Sequence, residues 1–191
     1  MFRRLLLLTM AGTLAAAGAA HSTTVIPPSF DALVSGANTI FVGEVMDIRA
    51  GWESTPQGRA IVTFVTFRVE DVWKGNAGAV TQLEFLGGTI GEIGMKVEGM
   101  PAFRLGQRDV LFVSGEVRVV SPLVGFMHGR MRVERDTVSG VDRVRTFDGR
   151  ALGSVAQIGP QRAAPSLASI TPMRLSELEA AVRSRLGAVR Q

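Results

Sequence analysis

The feature that most constrains the fold is a series of short segments, from residue 39 onward, in which apolar and polar residues alternate. A period of two places successive side chains on opposite faces, as in a half-buried β-strand. Turns rich in glycine and polar residues separate the segments, and no helical periodicity lies between them. Because parallel strands need long crossover connections, this pattern predicts an antiparallel, all-β fold.

Five or six strands are predicted. Gly43 interrupts the first alternating segment, which predicts a β-bulge or a sharp bend. The polar stretch from Gly51 to Gly58 is predicted to be a connection, and residues 87–99 a bent excursion with a short hairpin. The apolar run 109–113 predicts a central strand that is buried on both faces. The predicted strands are 39–49, 61–74, 80–86, 109–113, 129–135 and 141–147, with 117–120 as a further candidate.

A sheet of this size with an internal bend favours a small OB-fold-like barrel, and two helices are predicted to accompany it. Ser29 precedes a short apolar stripe, so it is predicted to be the N-cap of an N-terminal helix that Gly36 ends. An amphipathic C-terminal helix is also predicted, with Ser176 and Glu179 as its capping box. Its apolar residues at helical spacing are Leu175, Leu178, Val182 and Leu186.

The first twenty residues predict a cleavable signal peptide. Arg3 and Arg4 precede an apolar run, and small residues follow up to Ala20. Cleavage after Ala19 and cleavage after Ala20 fit equally well. The alternative is an N-terminal membrane anchor, which requires about 20 consecutive apolar residues, and the run ends in alanine and glycine. The chain has no cysteine to carry a lipid anchor, so we expect a periplasmic or secreted protein.

The expected organisation is a signal peptide over 1–20, an OB-like barrel domain over 21–150, a linker or draped loop over 151–172 and a C-terminal helix over 173–191. A mature chain of about 170 residues can bury its own core without disulfide bonds. Loss of Arg3 and Arg4 leaves 19 of the 21 basic residues, against 17 acidic residues. This small excess, in a chain without tyrosine, argues against a nucleic-acid partner.

Four stretches resemble a widespread group of uncharacterised exported bacterial proteins, over roughly residues 23–135. They are 27–34 (PPSFDALV), 40–45 (IFVGEV), 65–75 (VTFRVEDVWKG) and 103–113 (FRLGQRDVLFV). The layout of this group is similar to the netrin-like module, whose best-known members are the tissue inhibitors of metalloproteinases. The shared features are a strand with an internal glycine, here Gly43, and a strand that ends in Trp73, Lys74 and Gly75.

The netrin-like resemblance implies an OB-like fold and a partner site at the mature N-terminus. In those inhibitors the α-amino group and the first carbonyl chelate a protease zinc, and the next side chains enter the specificity pocket. The corresponding segment here is His21, Ser22, Thr23 and Thr24. This chain departs from the inhibitors in one respect, because their first residue is a disulfide-bonded cysteine that fixes the chelating geometry.

Metal binding rests on the two histidines, His21 and His128, which are too few for a structural zinc site. Cleavage before His21 exposes an α-amine and an imidazole that can chelate copper, with His128 as a second ligand. Cleavage after Gly18 instead makes His21 the third residue, which is another copper-binding arrangement. The alternative is a mobile terminal histidine and a loop histidine without a metal. The glycines near Lys96 do not form a phosphate-binding loop, because Val97 stands where serine or threonine is required.

Two further groups of charged residues are candidates for function. Carboxylates on the predicted strands can serve a hydrolase in pairs, or they can be solvated. These are Glu44, Asp47, Glu70, Asp71 and Asp109. Arginines on neighbouring strands can form a basic face for an acidic protein or a polysaccharide, or they can be ordinary solvent-facing residues of alternating strands. These are Arg104, Arg108, Arg118, Arg130 and Arg132.

The sequence therefore supports three hypotheses. The first is an exported, non-catalytic binding module, inhibitor-like, that acts on another exported protein and needs no cofactor. The second is a periplasmic copper-binding protein that uses His21, and the third is a hydrolase that uses carboxylates. The sequence leaves the oligomeric state open.

Overall fold

The computed structural model describes residues 26–55, 58–115, 120–160 and 170–188. The predicted signal peptide, the segment His21 to Thr24 and most of the candidate strand 117–120 lie outside these residues. The helices are α1 (Phe30–Gly36) and α2 (Leu175–Ala188), with short 3-10 helices at Phe126–Gly129 and Val155–Gln157. The strands are β1 (Thr39–Thr55), β2 (Gly58–Lys74), β3 (Val80–Leu86), β4 (Gly88–Ile90), β5 (Ile93–Met95), β6 (Arg108–Val113), β7 (Arg130–Arg135) and β8 (Asp142–Thr146).

Six of these strands form one antiparallel sheet in the order β3-β2-β1-β6-β7-β8, while β4 and β5 form a separate hairpin. Strands β1 to β3 are successive neighbours and β6 returns to the free edge of β1, which is the order of a Greek key. The predicted β-rich fold is confirmed. The sheet does not close into a barrel by strand pairing, because β3 and β8 remain its edges in the described part of the chain.

The hairpin of β1 and β2 corrects the predicted connection between Gly51 and Gly58. The two strands pair without a break from Ala50 to Thr55, which lies opposite Gly58. This end of the hairpin is largely exposed, so most of its side chains are polar although its backbone forms a strand. The bulge predicted at Gly43 is confirmed, because the register shifts between Val42 and Gly43.

Apolar side chains cover both faces of the central strands. Val110 and Phe112 of β6 face the helices, whereas Leu111 faces the opposite side, and all three are buried. The prediction that residues 109–113 form a central strand buried on both faces is therefore confirmed. We call the second face the inner face, and its cluster contains Phe41, Val45, Val65, Phe67, Leu83, Phe85, Leu111 and Leu123.

Both predicted helices are present, but only the first has the predicted cap. The Ser29 hydroxyl accepts a hydrogen bond from the Ala32 amide at 3.2 Å, as expected. The second helix begins at Leu175, and the Glu177 carboxylate accepts a hydrogen bond from the Arg174 amide at 2.7 Å. The capping box predicted at Ser176 and Glu179 is therefore wrong by two residues. No helix in the described residues is long and apolar enough to cross a bilayer.

A segment between β5 and β6 links strands that do not pair with each other. The Phe103 ring lies 5.5 Å from the Phe67 ring and 5.0 Å from the Phe85 ring, measured between centroids. On its other side, the Arg130 guanidinium lies 4.3 Å from the Phe103 ring centroid. Phe103 thus connects β2 and β3 to β7 through side-chain contacts rather than through a backbone ladder.

The edge of β8 is covered by chain from the predicted linker and by the residues before α2. The Val144 amide donates to the Met173 carbonyl at 2.9 Å, and the Met173 amide donates to the Leu152 carbonyl at 2.7 Å. Leu152 is buried. This covered edge forms one wall of the pocket described next.

Candidate functional site

An open pocket of about 410 Å³ lies at the end of β7 and β8, beside the start of the described chain. Its walls are contributed by the first described residues, the 3-10 helix Phe126–Gly129 and the segment that follows β8. Most of its lining is apolar. The lining includes Pro28, His128, Phe147 and Ile158, with Arg145 and Arg150 at the rim.

Close backbone packing fixes the 3-10 helix against the N-terminal segment. Gly125 has φ +66°, and a Cβ at this position would lie 2.7 Å from the Cγ atom of Pro28. A Cβ on Gly129 would lie 2.5 Å from the Val124 carbonyl oxygen. Both positions therefore require glycine, and together they hold His128 at the pocket wall.

His128 is the one candidate metal-ligating histidine within the described residues. Its ring stands edge-on to the Phe147 ring, with the centroids 5.0 Å apart. Burial lowers the pKa of the His128 imidazole, although the nearby Asp148 opposes this shift. The imidazole is therefore neutral at pH 7, which is the form that binds metal or accepts a hydrogen bond.

The arginines at the rim are balanced by carboxylates. Arg145 contacts Glu134 at 2.5 Å, and Arg150 contacts Asp148 at 2.8 Å. The Arg145 guanidinium also donates to the Gly149 carbonyl at 3.3 Å. The pocket thus combines an apolar interior with a paired, polar rim, which is the usual composition of a binding cleft.

One of the residues that line the pocket, Arg130, forms a buried ion pair on the inner face of the sheet. The Nε atom of Arg130 donates to the Asp109 carboxylate at 2.9 Å, and both side chains are almost completely buried. Arg130 also donates to the Ala102 carbonyl. Burial raises the pKa of the Asp109 carboxyl, and the charge of Arg130 opposes this shift. The sequence offers two interpretations of Arg130, a basic face and an ordinary solvent-facing position, and both are wrong for this residue because it is buried.

Each of the five candidate carboxylates contacts a cation or a hydrogen-bond donor. Asp109 pairs with Arg130, as described, and Glu70 accepts two-pronged hydrogen bonds from Arg108 at 2.7–3.0 Å. The Trp73 indole donates to Asp71 at 2.9 Å. The other two pairs are Glu44 with Arg68 and Asp47 with Arg49. Four of these carboxylates therefore form ion pairs, and the fifth accepts a hydrogen bond from an indole.

The predicted site residues fall into two groups. His128 lies in the pocket, whereas His21, Ser22, Thr23 and Thr24 lie outside the described residues. Within the described ranges, no three His, Asp or Glu side chains are placed to hold a metal ion. No local sequence pattern predicts the pocket, because its walls come from segments far apart in the chain.

The buried pair of Asp109 and Arg130 was missed as well, although one signal pointed to it. Asp109 opens an otherwise apolar strand, and an acidic residue in such a strand requires a buried cation or donor.

The netrin-like resemblance is still a prediction, and it rests only on the sequence features around Gly43 and Trp73 to Gly75. No protein-family model matches this chain, and neither the curated proteins nor the solved structures include a match.

Proposed function

We propose that this protein is an exported, non-catalytic binding module whose pocket beside His128 takes an apolar segment of another extracytoplasmic protein. The observation that carries the proposal is the pocket itself, which is open, largely apolar and rimmed by paired charges. Such a surface suits a peptide segment that is held by apolar contacts and oriented by a few polar groups.

The position of the pocket agrees with the partner site that the netrin-like resemblance implies. Pro27 and Pro28 line the pocket, and Thr24 precedes Pro27 by three residues. Three extended residues span about 11 Å at most, so Thr24 cannot be farther than this from Pro27. Ile26, at the same end, is 76% exposed and adds apolar surface. A partner that occupies the pocket can therefore also contact the segment His21 to Thr24.

The proposed architecture is an opened OB-like barrel. Two features support it: the Greek-key strand order, and the Phe103 segment that joins β3 to β7 where a barrel would be closed by strands. In this arrangement the pocket lies at one end of the sheet, beside the first residues of β7 and the last residues of β8.

Site-specific crosslinking tests the binding proposal. A photoreactive benzoylphenylalanine replaces Ile158 in the pocket, and in a control protein it replaces Val138, which is 96% exposed on the turn between β7 and β8. Both proteins are produced in the cells that naturally make this chain. The expected result is one crosslinked extracytoplasmic protein from position 158 and none from position 138.

A pocket-filling variant provides the control for specificity. Ala151→Phe places a ring in the pocket and should abolish the crosslink at Ile158 without a change in the urea midpoint. The crosslinked protein is then purified, and its affinity for wild type and for Ala151→Phe is measured. Identical products from positions 158 and 138 would contradict the proposal, and so would chemical conversion of the bound protein.

Copper binding is the second candidate function, and the position of His128 favours it. His128 and Pro27 line the same pocket, and His21 precedes Pro27 by six residues, a span of about 20 Å at most. A neutral imidazole at this distance can join a chelate formed at His21. The test is a copper titration of mature protein that begins at His21. Stoichiometric binding that His21→Ala and His128→Gln each weaken would favour this function over the first.

A further inference from the structure

Beyond the pocket, the inner face of the sheet carries more positive than negative charge. Arg130 and Arg132 are two residues apart on β7, so both side chains project to this face. Asp109 of β6 lies directly opposite Arg132 in the strand pairing, and Arg145 of β8 lies opposite it on the other side. Arg132 is thus the central member of a row across three strands.

Both neighbours of Arg132 form ion pairs with other residues. Asp109 pairs through its Oδ1 atom with the buried Arg130 at 2.9 Å, and Arg145 pairs with Glu134 at 2.5 Å. The Oδ2 atom of Asp109 forms no hydrogen bond with a described residue, so Asp109 satisfies neither the Nη2 atom of Arg130 nor the Nε atom of Arg132. Arg132 itself forms no ion pair with any described residue, and its Nε atom is buried without a hydrogen-bond partner among them. A guanidinium nitrogen that is withdrawn from water and left unpaired is costly, unless an acceptor reaches it.

Two more observations place an acceptor site here. Arg130 is 2% exposed, and its Nη2 atom also lacks a partner among the described residues. Arg104, on the segment that carries Phe103, is exposed and close enough for its charge to affect Arg130. The charges of Arg130 and Arg132 both act on the carboxylate of Asp109, and the charge of Arg104 acts on Arg130.

We propose that Arg132, with Arg104 and Arg130 beside it, binds a carboxylate group carried by a polypeptide. The same protein contains an example of such a contact, because Arg108 donates hydrogen bonds to the Glu70 carboxylate from its Nε and Nη2 atoms at 3.0 and 2.7 Å. In the proposed site, a ligand carboxylate makes the same two-pronged contact with Arg132, through the Nε atom that has no partner among the described residues.

The polypeptide character of the ligand rests on the proposed function. Gly149 lines the pocket, and a Cβ at Gly149 would lie 3.5 Å from the Nη1 atom of Arg132. The arginine site and the pocket therefore share one wall. A peptide segment with its apolar residues in the pocket can place an acidic side chain or its own C-terminus on Arg132.

Calorimetric titration of the mature protein with a hexaglutamate peptide tests this inference. Arg132→Met removes the charge and the hydrogen-bond donors, and should lower the affinity about ten-fold or more. Arg135→Met is the matched control, because it removes one charge from the same strand on the opposite face, where Arg135 is exposed. This control should lower the affinity less than about two-fold. Arg132→Lys should fall between wild type and Arg132→Met, because it keeps the charge and loses the planar fork.

Two other titrants and one direct measurement complete the test. Inorganic phosphate and trigalacturonate should bind more weakly than hexaglutamate, and tighter binding of either would overturn the assignment to a polypeptide carboxylate. An equal loss of affinity in Arg132→Met and Arg135→Met would also overturn it. The Nε proton of Arg132 should shift in the NMR spectrum when hexaglutamate is added, and an unchanged signal would contradict direct contact.

The failure of this inference and the failure of the proposed function give different results. Ala151→Phe should abolish crosslinking in the pocket yet retain hexaglutamate binding, because Ala151 is bridged to Arg145 and is one strand position farther from β7 than Arg145 is. If crosslinking fails while binding that depends on Arg132 persists, the carboxylate site stands and the proposed function is wrong. If crosslinking succeeds while Arg132→Met has no effect on hexaglutamate binding, the proposed function stands and the carboxylate site is wrong.

Discussion

Two neighbouring residues of β6 form ion pairs on opposite faces of the sheet, in very different surroundings. Arg108 contacts Glu70 at 2.7 Å and Asp142 at 3.0 Å, and these side chains keep 19–27% of their surface exposed. Asp109 contacts Arg130 at 2.9 Å, and the exposed fractions of these two side chains are 0% and 2%. The first network remains in contact with water, whereas the second has been withdrawn from it.

The comparison shows that similar distances do not mean similar energetic roles. Water can replace a lost partner in the Arg108 network, so each contact there stabilises the fold only modestly. Around Arg130, a lost partner leaves a charge in an apolar environment beside Phe103, where nothing described can replace it. The Arg130 pair therefore fixes the position of the Phe103 segment more than it adds net stability.

The largest expected effect comes from breaking each network at its acidic partner. Asp109→Asn keeps the size of the side chain and leaves the buried Arg130 charge unpaired, which should lower the free energy of unfolding by about 3–5 kcal/mol. Glu70→Gln should lower it by about 1 kcal/mol or less. Urea unfolding at constant slope measures both values. Similar values for the two variants would show that the burial difference has no energetic consequence.

Replacing the whole buried pair sharpens the same comparison. Asp109→Leu combined with Arg130→Met removes both charges and keeps apolar volume, so the double variant should be more stable than Asp109→Asn by about 2 kcal/mol or more. A double variant no more stable than Asp109→Asn would mean that the hydrogen bond to Ala102 and the contact with Phe103 matter more than the charges.

Much of this fold could be predicted from the sequence because its signals are local. Ser29 as an N-cap, the bulge at Gly43 and the buried strand of residues 109–113 each depend on neighbouring residues, and the structure has all three. The hairpin end from Gly51 to Gly58 was missed, because a strand exposed on both faces has no apolar alternation. The closed barrel could not be decided, because closure depends on which edges meet in space.

The candidate site was harder to predict than the fold. Arg130 and Arg132 have the same residue type, lie on the same strand and face, and occur in the same alternating pattern. They differ because Asp109 and the Phe103 segment, which are distant in sequence, contact Arg130 and form no such contact with Arg132. A local sequence pattern cannot predict which of the two arginines is contacted.

A smaller effect is expected from salt. The Arg108 network is in contact with water, so added salt should weaken it, and the stability difference between wild type and Glu70→Gln should shrink toward zero at about 1 M sodium chloride. The difference between wild type and Asp109→Asn should persist, because a buried pair is screened much less. Urea unfolding at low and high salt measures both differences. A salt-sensitive Asp109 difference would mean that water reaches the pair.

The smallest effect concerns His128, which is half-buried and therefore less buried than the Arg130 pair. Burial lowers its pKa in the folded protein, so between that pKa and the ordinary value of 6.5 the unfolded chain binds more protons than the folded one. The stabilisation is therefore present above pH 6.5 and is lost as the pH falls toward the folded pKa. Urea midpoints at about pH 7.5 and about pH 5.5 should differ more in wild type than in His128→Gln. Equal differences in the two proteins would place the His128 imidazole in open water, and the pocket wall that it forms with Phe147 would then have to be open as well.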